Sequence, residues 1–305
     1  MKIERVALLG AGAVGSYFIY GLSRKLGEKF YVAVNGERKE RMEKEGLVIN
    51  GERYSVQAKE PKEIGPVDLL LVATKQEALY HSLDDIKAMV GENTIVMSLL
   101  NGVRSEEIIG EAVGMEHMLY SVMRIASVRK DSQIVFDPET TAGVYVGEKD
   151  KKEPTERILA VEALFADTEI RFHFVEDILT DMWFKYASNI AQNLPQAIIS
   201  VGFGAYKDSE HMLHIARSLW KEVAQVANAK GIPLGEEFVF FKGTKNSARF
   251  STLQDIDAKR HTEIEMFAGE MIRMGKECGI PVPYCEYTYH LIKALEEKND
   301  GKFEY

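Results

Sequence analysis

Lys185, Asn189 and Asn193 stand four residues apart in the segment WFKYASNIAQN. On an α-helix this spacing lines the three side chains along one stripe about 12 Å long, the size of a small ligand. An ammonium donates hydrogen bonds and carries charge, whereas each amide donates and accepts without adding any. The plainer alternative is a solvated helix face. The flanks argue against it, because Trp183, Phe184, Ile190, Leu194 and Ile198 make the helix apolar around much of its circumference, as in a largely buried helix. Polar groups in such surroundings need partners. A bound small molecule is one candidate partner.

A second pattern lies near the N-terminus. The strand-like run VALL at residue 6 leads into Gly10, Ala11, Gly12, Ala13, Val14 and Gly15, then into the helix-forming SYFIYGLSRKL. A G-x-G-x-x-G turn between strand and helix is the context in which a dinucleotide is held. The first glycine permits the tight turn, the second the approach of a pyrophosphate, and the third close packing of helix on strand. The helix N-terminus adds unpaired N–H groups for the phosphates. At the end of the next strand an acidic residue would bond the ribose of NAD and repel a 2′-phosphate. In FYVAVNGERKER that place belongs to Asn35, with Arg38, Lys39 and Arg41 close behind. NADP(H) is the expected cofactor, with NAD(H) as the alternative, since the same cations also read as the solvated start of a helix.

These residues need elements to hold them. A chain of 305 residues exceeds the size at which single cores stop growing, so two domains are expected, 1–175 and 176–305. In the first, apolar β-branched runs recur at FYVAV (30), VDLLLVAT (67), TIVMSLL (94), MLYSVM (118), VYV (144) and IRFHFV (170), separated by helical or polar stretches. Near-continuous apolar strands between helices indicate a sheet covered on both faces. The expected fold is α/β, an N-terminal Rossmann-type doubly wound sheet followed by an all-α C-terminal domain. Asn50 and Gly51 in GLVINGERYSVQA form a hairpin signal, expected to add short strands at the periphery. Helical periodicity covers 177–200, 209–230, 260–278 and 284–298. Gly231 with Pro233, and Gly279 with Pro281, end two of these helices. The polar tail EEKNDGKFEY is expected to fray.

Composition removes several classes of function. With 38 basic and 47 acidic residues the formal charge is -9, which argues against nucleic acid as partner. The longest apolar runs are too short to span a bilayer, and MKIERVALLGAG lacks the apolar core and cleavage site of a signal peptide. A cytoplasmic address is expected, with no membrane partner. Cys278 and Cys285 form no zinc motif, and His211 and His214 lack a neighbouring carboxylate signature. No metal is expected, and without G-x-S-x-G no serine hydrolase either.

Five stretches occur in order: GAGAVG at 10, VATKQEA with Lys75, LLNGV with Asn101, WFKYASNIAQN with Lys185, and FSTLQDIDAKRHTEIE with Ser251 and Glu263. Together they resemble the ketopantoate reductase family, NADP-dependent 2-dehydropantoate 2-reductases of pantothenate and coenzyme A synthesis. The last stretch is the most specific. The resemblance implies a Rossmann domain followed by a helical one, and reduction of 2-dehydropantoate to D-pantoate. It implies Lys185 as general acid and Glu263 as the acidic residue that binds substrate and helps position the lysine. By the same resemblance Asn189, Asn193 and Ser251 line the substrate pocket, while Lys75 and Asn101 lie where cofactor and substrate meet. Local alternatives exist: Lys75 as an ordinary helix start, Asn101 with Gly102 as a turn, Ser251 as a helix cap, Glu263 as half of a surface ion pair. Three departures leave substrate and cofactor open. Leu194 separates Asn193 from Pro195 where the family usually has Asn-Pro, Asn35 stands where many relatives carry arginine, and MRIASVRKDS at 123–132 is poorer in glycine than usual. A dehydrogenase of another D-2-hydroxy acid would use the same lysine and amides, whereas a non-catalytic dinucleotide sensor would need only the glycine turn. The expected partner is a small 2-oxo acid, and a homodimer is the candidate assembly.

Overall fold

The computed structural model describes residues 1–130, 133–240 and 244–303. Two compact units divide the chain, Met1–Leu179 and Thr180–Tyr305. The strands of the first are β1 (Val6–Leu9), β2 (Phe30–Ala33), β3 (Leu47–Ile49), β4 (Glu52–Tyr54), β5 (Gln57–Lys59), β6 (Leu69–Val72), β7 (Ile95–Ser98), β8 (Met118–Arg124), β9 (Ser127–Lys130), β10 (Gln133–Phe136), β11 (Gly143–Gly147) and β12 (Phe172–Phe174). Its helices are α1 (Ala13–Leu26), α2 (Glu37–Glu45), α3 (Pro61–Ile64), α4 (Gln76–His81), α5 (Leu83–Met89), α6 (Ser105–Val113) and α7 (Glu156–Phe165).

The main sheet has the order β12-β11-β8-β7-β6-β1-β2-β5. From β8 to β5 neighbouring strands are parallel, and β11 pairs antiparallel with β8. The chain starts at β1, moves outward through β2 and β5, then returns to lay β6, β7 and β8 on the other side. That is a doubly wound sheet with its switch point between β1 and β6. Strand alternation explains why both faces are covered. Val6 and Leu8 belong to one core with Leu69, Leu71 and α1, while Ala7 and Leu9 belong to another with Leu70, Val72, Ile86 and Ile109. The registers pair Leu9 with Ala33 and Val72, and Val72 with Ser98. Four consecutive strand ends therefore leave the sheet at one edge.

The Asn50–Gly51 hairpin forms as the sequence signals, with φ of 51° and 83° at its two turn residues. Its two short strands lie outside the main sheet, of which β5 forms one edge. β3 and β4 do not extend the main sheet; they join β9 and β10 in a separate sheet of order β4-β3-β10-β9. Asn50 decides this, because its N–H donates to the Ile134 carbonyl at 2.9 Å and its side-chain oxygen accepts from Phe136 N–H at 2.9 Å. Phe136 then packs edge-on against Tyr17 and Tyr20 of α1. β9 and β10 arise from the stretch at 123–132 and just beyond it, of which Asp131 and Ser132 lie outside the described residues.

In the second unit α8 (Ile178–Ser188) runs through a π-helical turn, Asn189–Asn193, into α9 (Leu194–Ile199). There follow α10 (Ala205–Asp208), α11 (Glu210–Ala229), α12 (Ser251–Asp257), a second π turn at Glu265–Gly269 that leads into α13 (Glu270–Cys278), and α14 (Pro283–Asn299). Gly231 and Gly279 adopt positive φ, and Ile232 and Ile280 N–H groups reach back to Ala227 and Gly275 carbonyls at 2.9 and 2.8 Å, closing both helices. Residues 260–264, expected to be helical, are not, and α12 is a helix outside the four stretches of helical periodicity, where only the reading of Ser251 as a cap implies one. The first residues of the tail do not fray, since α14 continues to Asn299 with Glu296 only 3% exposed; Glu304 and Tyr305 lie outside the described residues. No described helix is long and apolar enough to cross a membrane.

Candidate functional site

The glycine turn after β1 has the shape of an anion cradle. A Cβ on Gly15 would stand 2.0 Å from the Gly10 carbonyl oxygen, and one on Gly10, where φ is 102°, would meet the Ala73 and Thr74 backbone at 2.6–2.8 Å. Both must be glycine. A Cβ on Gly12 would meet nothing within 4 Å, so the turn opens to space there. α1 begins at Ala13 with Gly12 as its uncapped N-cap and no acidic residue in its first turn, leaving N–H groups and a positive helix end for a phosphate. The Ser16 and Thr74 hydroxyls and the Gln76 side-chain oxygen are buried without a hydrogen-bond partner. Unsatisfied polar atoms beside such a turn fit a bound dinucleotide.

Around that edge, Asn35 is exposed, and its amide donates to the Asp85 carboxylate at 3.0 Å. Arg38 is exposed in the first turn of α2, while Lys39 is held by Glu63 at 2.8 Å. Lys75 is exposed at the N-cap position of α4, and its side chain makes no capping bond. Asn101 is half-buried, followed by Gly102 with φ of 91°. Beneath this loop the Ser98 hydroxyl donates to Ser105 at 2.7 Å, and Ser105 to the Glu106 carboxyl at 2.9 Å. Glu106 is 1% exposed, and burial pushes its carboxyl up to about 7. The sheet register thus brings the glycine turn, Asn35, Lys75 and Asn101 to one edge of the first unit.

In the second unit Lys185 is half-buried on α8, and Asn189 and Asn193 bracket the π turn. A straight α-helical stripe was expected; the π turn modifies it. Two local causes favour the wider turn. Pro195 has no N–H to return to the Ala191 carbonyl, and Ser188 donates its hydroxyl to the Phe184 carbonyl at 2.8 Å, a side-chain bond that bends helices. The amides still meet, Asn193 Nδ2 lying 3.4 Å from Asn189 Oδ1. Asn193 Oδ1 is buried and has no partner, leaving an acceptor for a ligand hydroxyl or amine.

Residues next to the candidates hold their segments together. The buried Tyr186 hydroxyl, following Lys185, donates to the Phe267 and Met266 carbonyls at 2.6 and 3.2 Å, in the π turn just beyond Glu263. Glu263 is half-buried. Thr262 before it is fixed by Glu296, which accepts from both its N–H and its hydroxyl at 2.7 Å. Gln196 reaches to the other segment, donating to the Ala248 carbonyl at 2.9 Å and accepting from Phe250 N–H at 2.7 Å. Ser251 is the first residue of α12 and exposed; Phe250 takes the cap position, so Ser251 is not the cap. Ammonium, paired amides, carboxylate and hydroxyl on these segments are the groups needed to bind a small oxo acid and give it a proton.

Gln196, Tyr186, Glu296, Asp85 and Glu106 escaped the sequence reading. Gln196 offered a signal, as a further amide after Asn189, Gln192 and Asn193 on the same helical segment. Asp85 and Glu296 offered none, because their partners are 50 and 34 residues away. Among the described residues no cluster of three or more His, Cys, Asp or Glu is placed to hold a metal ion, and both cysteines are free thiols.

A family model described as ketopantoate reductase PanE/ApbA matches residues 6–151, and one described as ketopantoate reductase PanE/ApbA C terminal matches residues 177–296. The chain is 29% identical to the 2-dehydropantoate 2-reductase of Pyrococcus horikoshii, over 97% of its own length and 99% of that protein. It is 26% identical to YkpB of Bacillus subtilis, described as an uncharacterized oxidoreductase, over 95% and 98% of the two chains. Among solved structures it is similar to D-mandelate dehydrogenase with NADH and anilino(oxo)acetate, with a TM-score of 0.82, 24% identity, and 97% and 99% of the two chains covered.

Proposed function

Because this chain belongs to the ketopantoate reductase family of oxidoreductases, we propose that it reduces 2-dehydropantoate to D-pantoate with NADPH, the step in pantothenate and coenzyme A synthesis. One observation carries most of the support: Lys185, the Asn189–Asn193 amide pair and the segments bearing Ser251 and Glu263 are tied to one helical rod through Tyr186 and Gln196. Bound NADPH supplies the hydride to the 2-oxo carbon. Lys185 gives its proton to the oxygen as charge grows there, turning alkoxide into hydroxyl, and regains a proton from solvent. Asn189 and Asn193 orient the carboxylate and hydroxyl of the substrate, Ser251 adds a donor, and Glu263 accepts from a substrate hydroxyl or the lysine. On the other unit, Gly10 to Gly15 would take the pyrophosphate, Asn35 and Arg38 the phosphorylated ribose, and Lys75 and Asn101 the nicotinamide end. The same reading makes the protein a cytoplasmic enzyme acting as a homodimer, with domains 1–175 and 176–305.

The test is oxidation of NADPH and NADH against a panel of 2-oxo acids that includes ketopantoate. Ketopantoate with NADPH is expected to have the highest kcat/KM. A second reading, a dehydrogenase of another D-2-hydroxy acid, draws on the buried Leu194 inserted before Pro195. An aromatic 2-oxo acid with NADH outrunning ketopantoate would establish it instead. Nucleotide binding without turnover of any oxo acid would favour a sensor.

A further inference from the structure

The strand end that reads the adenosine ribose carries more negative charge than the sequence there reveals. Asn35 stands about twenty residues beyond the last glycine of the turn, the place from which an acidic side chain discriminates against a 2′-phosphate. It is neutral, but its amide donates to Asp85 Oδ2 at 3.0 Å. Asp85 comes from the first turn of α5 and is half-buried. Its neighbour Asp84 points elsewhere, with a side chain 94% exposed and paired to Lys87 at 3.3 Å. Of the cations following Asn35, Lys39 is already neutralised by Glu63. Arg38 is left as the cation of the first turn of α2, three residues beyond Asn35, whose amide is bonded to the Asp85 carboxylate.

On the reading of this edge as a dinucleotide site, on which the inference rests, we propose that Asp85 is a specificity-determining residue that limits the preference for NADPH over NADH. Its carboxylate fixes the Asn35 amide so that the amide oxygen is left to accept from a ribose hydroxyl. The same charge repels a 2′-phosphate, against the attraction of Arg38. A charge a few Å away at a partly exposed site changes affinity for an anion by about tenfold, and salt weakens the effect.

The experiment uses the full chain and measures dissociation constants for adenosine 2′,5′-bisphosphate and adenosine 5′-monophosphate, together with kcat/KM for NADPH and NADH. Asp85→Asn should raise the ratio in favour of the 2′-phosphorylated ligand by about tenfold at low ionic strength, and less in high salt. Asp85→Ser should act in the same direction. Asp84→Asn, one residue away, should leave the ratio unchanged. A ratio that moves no more in Asp85→Asn than in Asp84→Asn would overturn the inference alone, leaving the dinucleotide site intact. Wild-type protein that binds neither nucleotide would overturn the dinucleotide reading and the inference with it.

Discussion

Lys185 is the residue on which the proposed chemistry turns, and its neighbours show how a flexible side chain is kept in one place. Tyr186 anchors that point of α8 to the Met266 and Phe267 carbonyls, and burial pushes its phenol well up, so it remains a neutral donor. Lys185→Ala should lower kcat for the oxo acid by about 10²–10⁴-fold, the range of a lost general acid. NADPH affinity measured by fluorescence titration should stay within about twofold, since the substitution lies outside the glycine turn. Retained turnover would remove Lys185 from the mechanism. The amides carry a different consequence. Asn193 Oδ1 is a buried acceptor with no protein partner, so a ligand that donates to it would offset the cost of its burial.

At the scale of elements, two irregularities do the positioning. π turns at Asn189–Asn193 and Glu265–Gly269 adjoin the candidate polar groups, as such bulges often do at functional sites. The glycine turn separates binding from folding in a testable way. Gly12 has φ of -89° and open space where a Cβ would go, so Gly12→Ala should melt within about a degree of wild type, in line with a substitution that touches nothing. It should still bind NADPH more than about tenfold more weakly, because the methyl occupies the room a pyrophosphate needs. Gly15→Ala drives a Cβ to 2.0 Å from the Gly10 carbonyl oxygen and should lower stability by about 1–3 kcal/mol. Calorimetry and nucleotide titration on the two variants give opposite rankings if the turn works this way, and equal ones if it does not.

For the whole molecule, the acidic balance and the buried carboxyls contribute to stability against pH, Glu106 among them. Glu106 is held at about 7 by burial, against an ordinary 4.5. Between those values the folded chain holds a proton that the unfolded chain has released. Stability therefore falls as pH rises through that window, by on the order of 3 kcal/mol for this group. Glu106→Gln keeps the acceptor for Ser105 and removes the titration. The variant should match wild type near pH 4.5 and exceed it above pH 7, with a flatter slope between, measured by urea unfolding at a series of pH values. Parallel slopes for both proteins would assign the pH dependence elsewhere. The net charge of -9 adds self-repulsion at high pH, equally in both above pH 4.5 apart from the Glu106 charge itself.

The amino-acid order alone determined what depends on neighbours in the chain. Apolar runs such as VALL and LLLV became buried parallel strands, Gly231 and Gly279 closed helices, and Asn50 with Gly51 made a hairpin. The ordered motifs also marked the family. Local pattern did not reveal where the hairpin would dock, because Asn50 meets Ile134 and Phe136 across more than 80 residues. It could not foresee the π turns, of which the one at Asn189–Asn193 arises where a missing proline N–H and a serine side-chain bond compete with the regular ladder. Nor could it show Asp85 behind Asn35, Glu296 beneath Thr262 or Gln196 beside Phe250. Periodicity is a short-range property, legible wherever burial repeats at a fixed step. A hydrogen bond between distant residues exists only once the folded backbone has brought its donor and acceptor within 3 Å, so tertiary structure alone decided those.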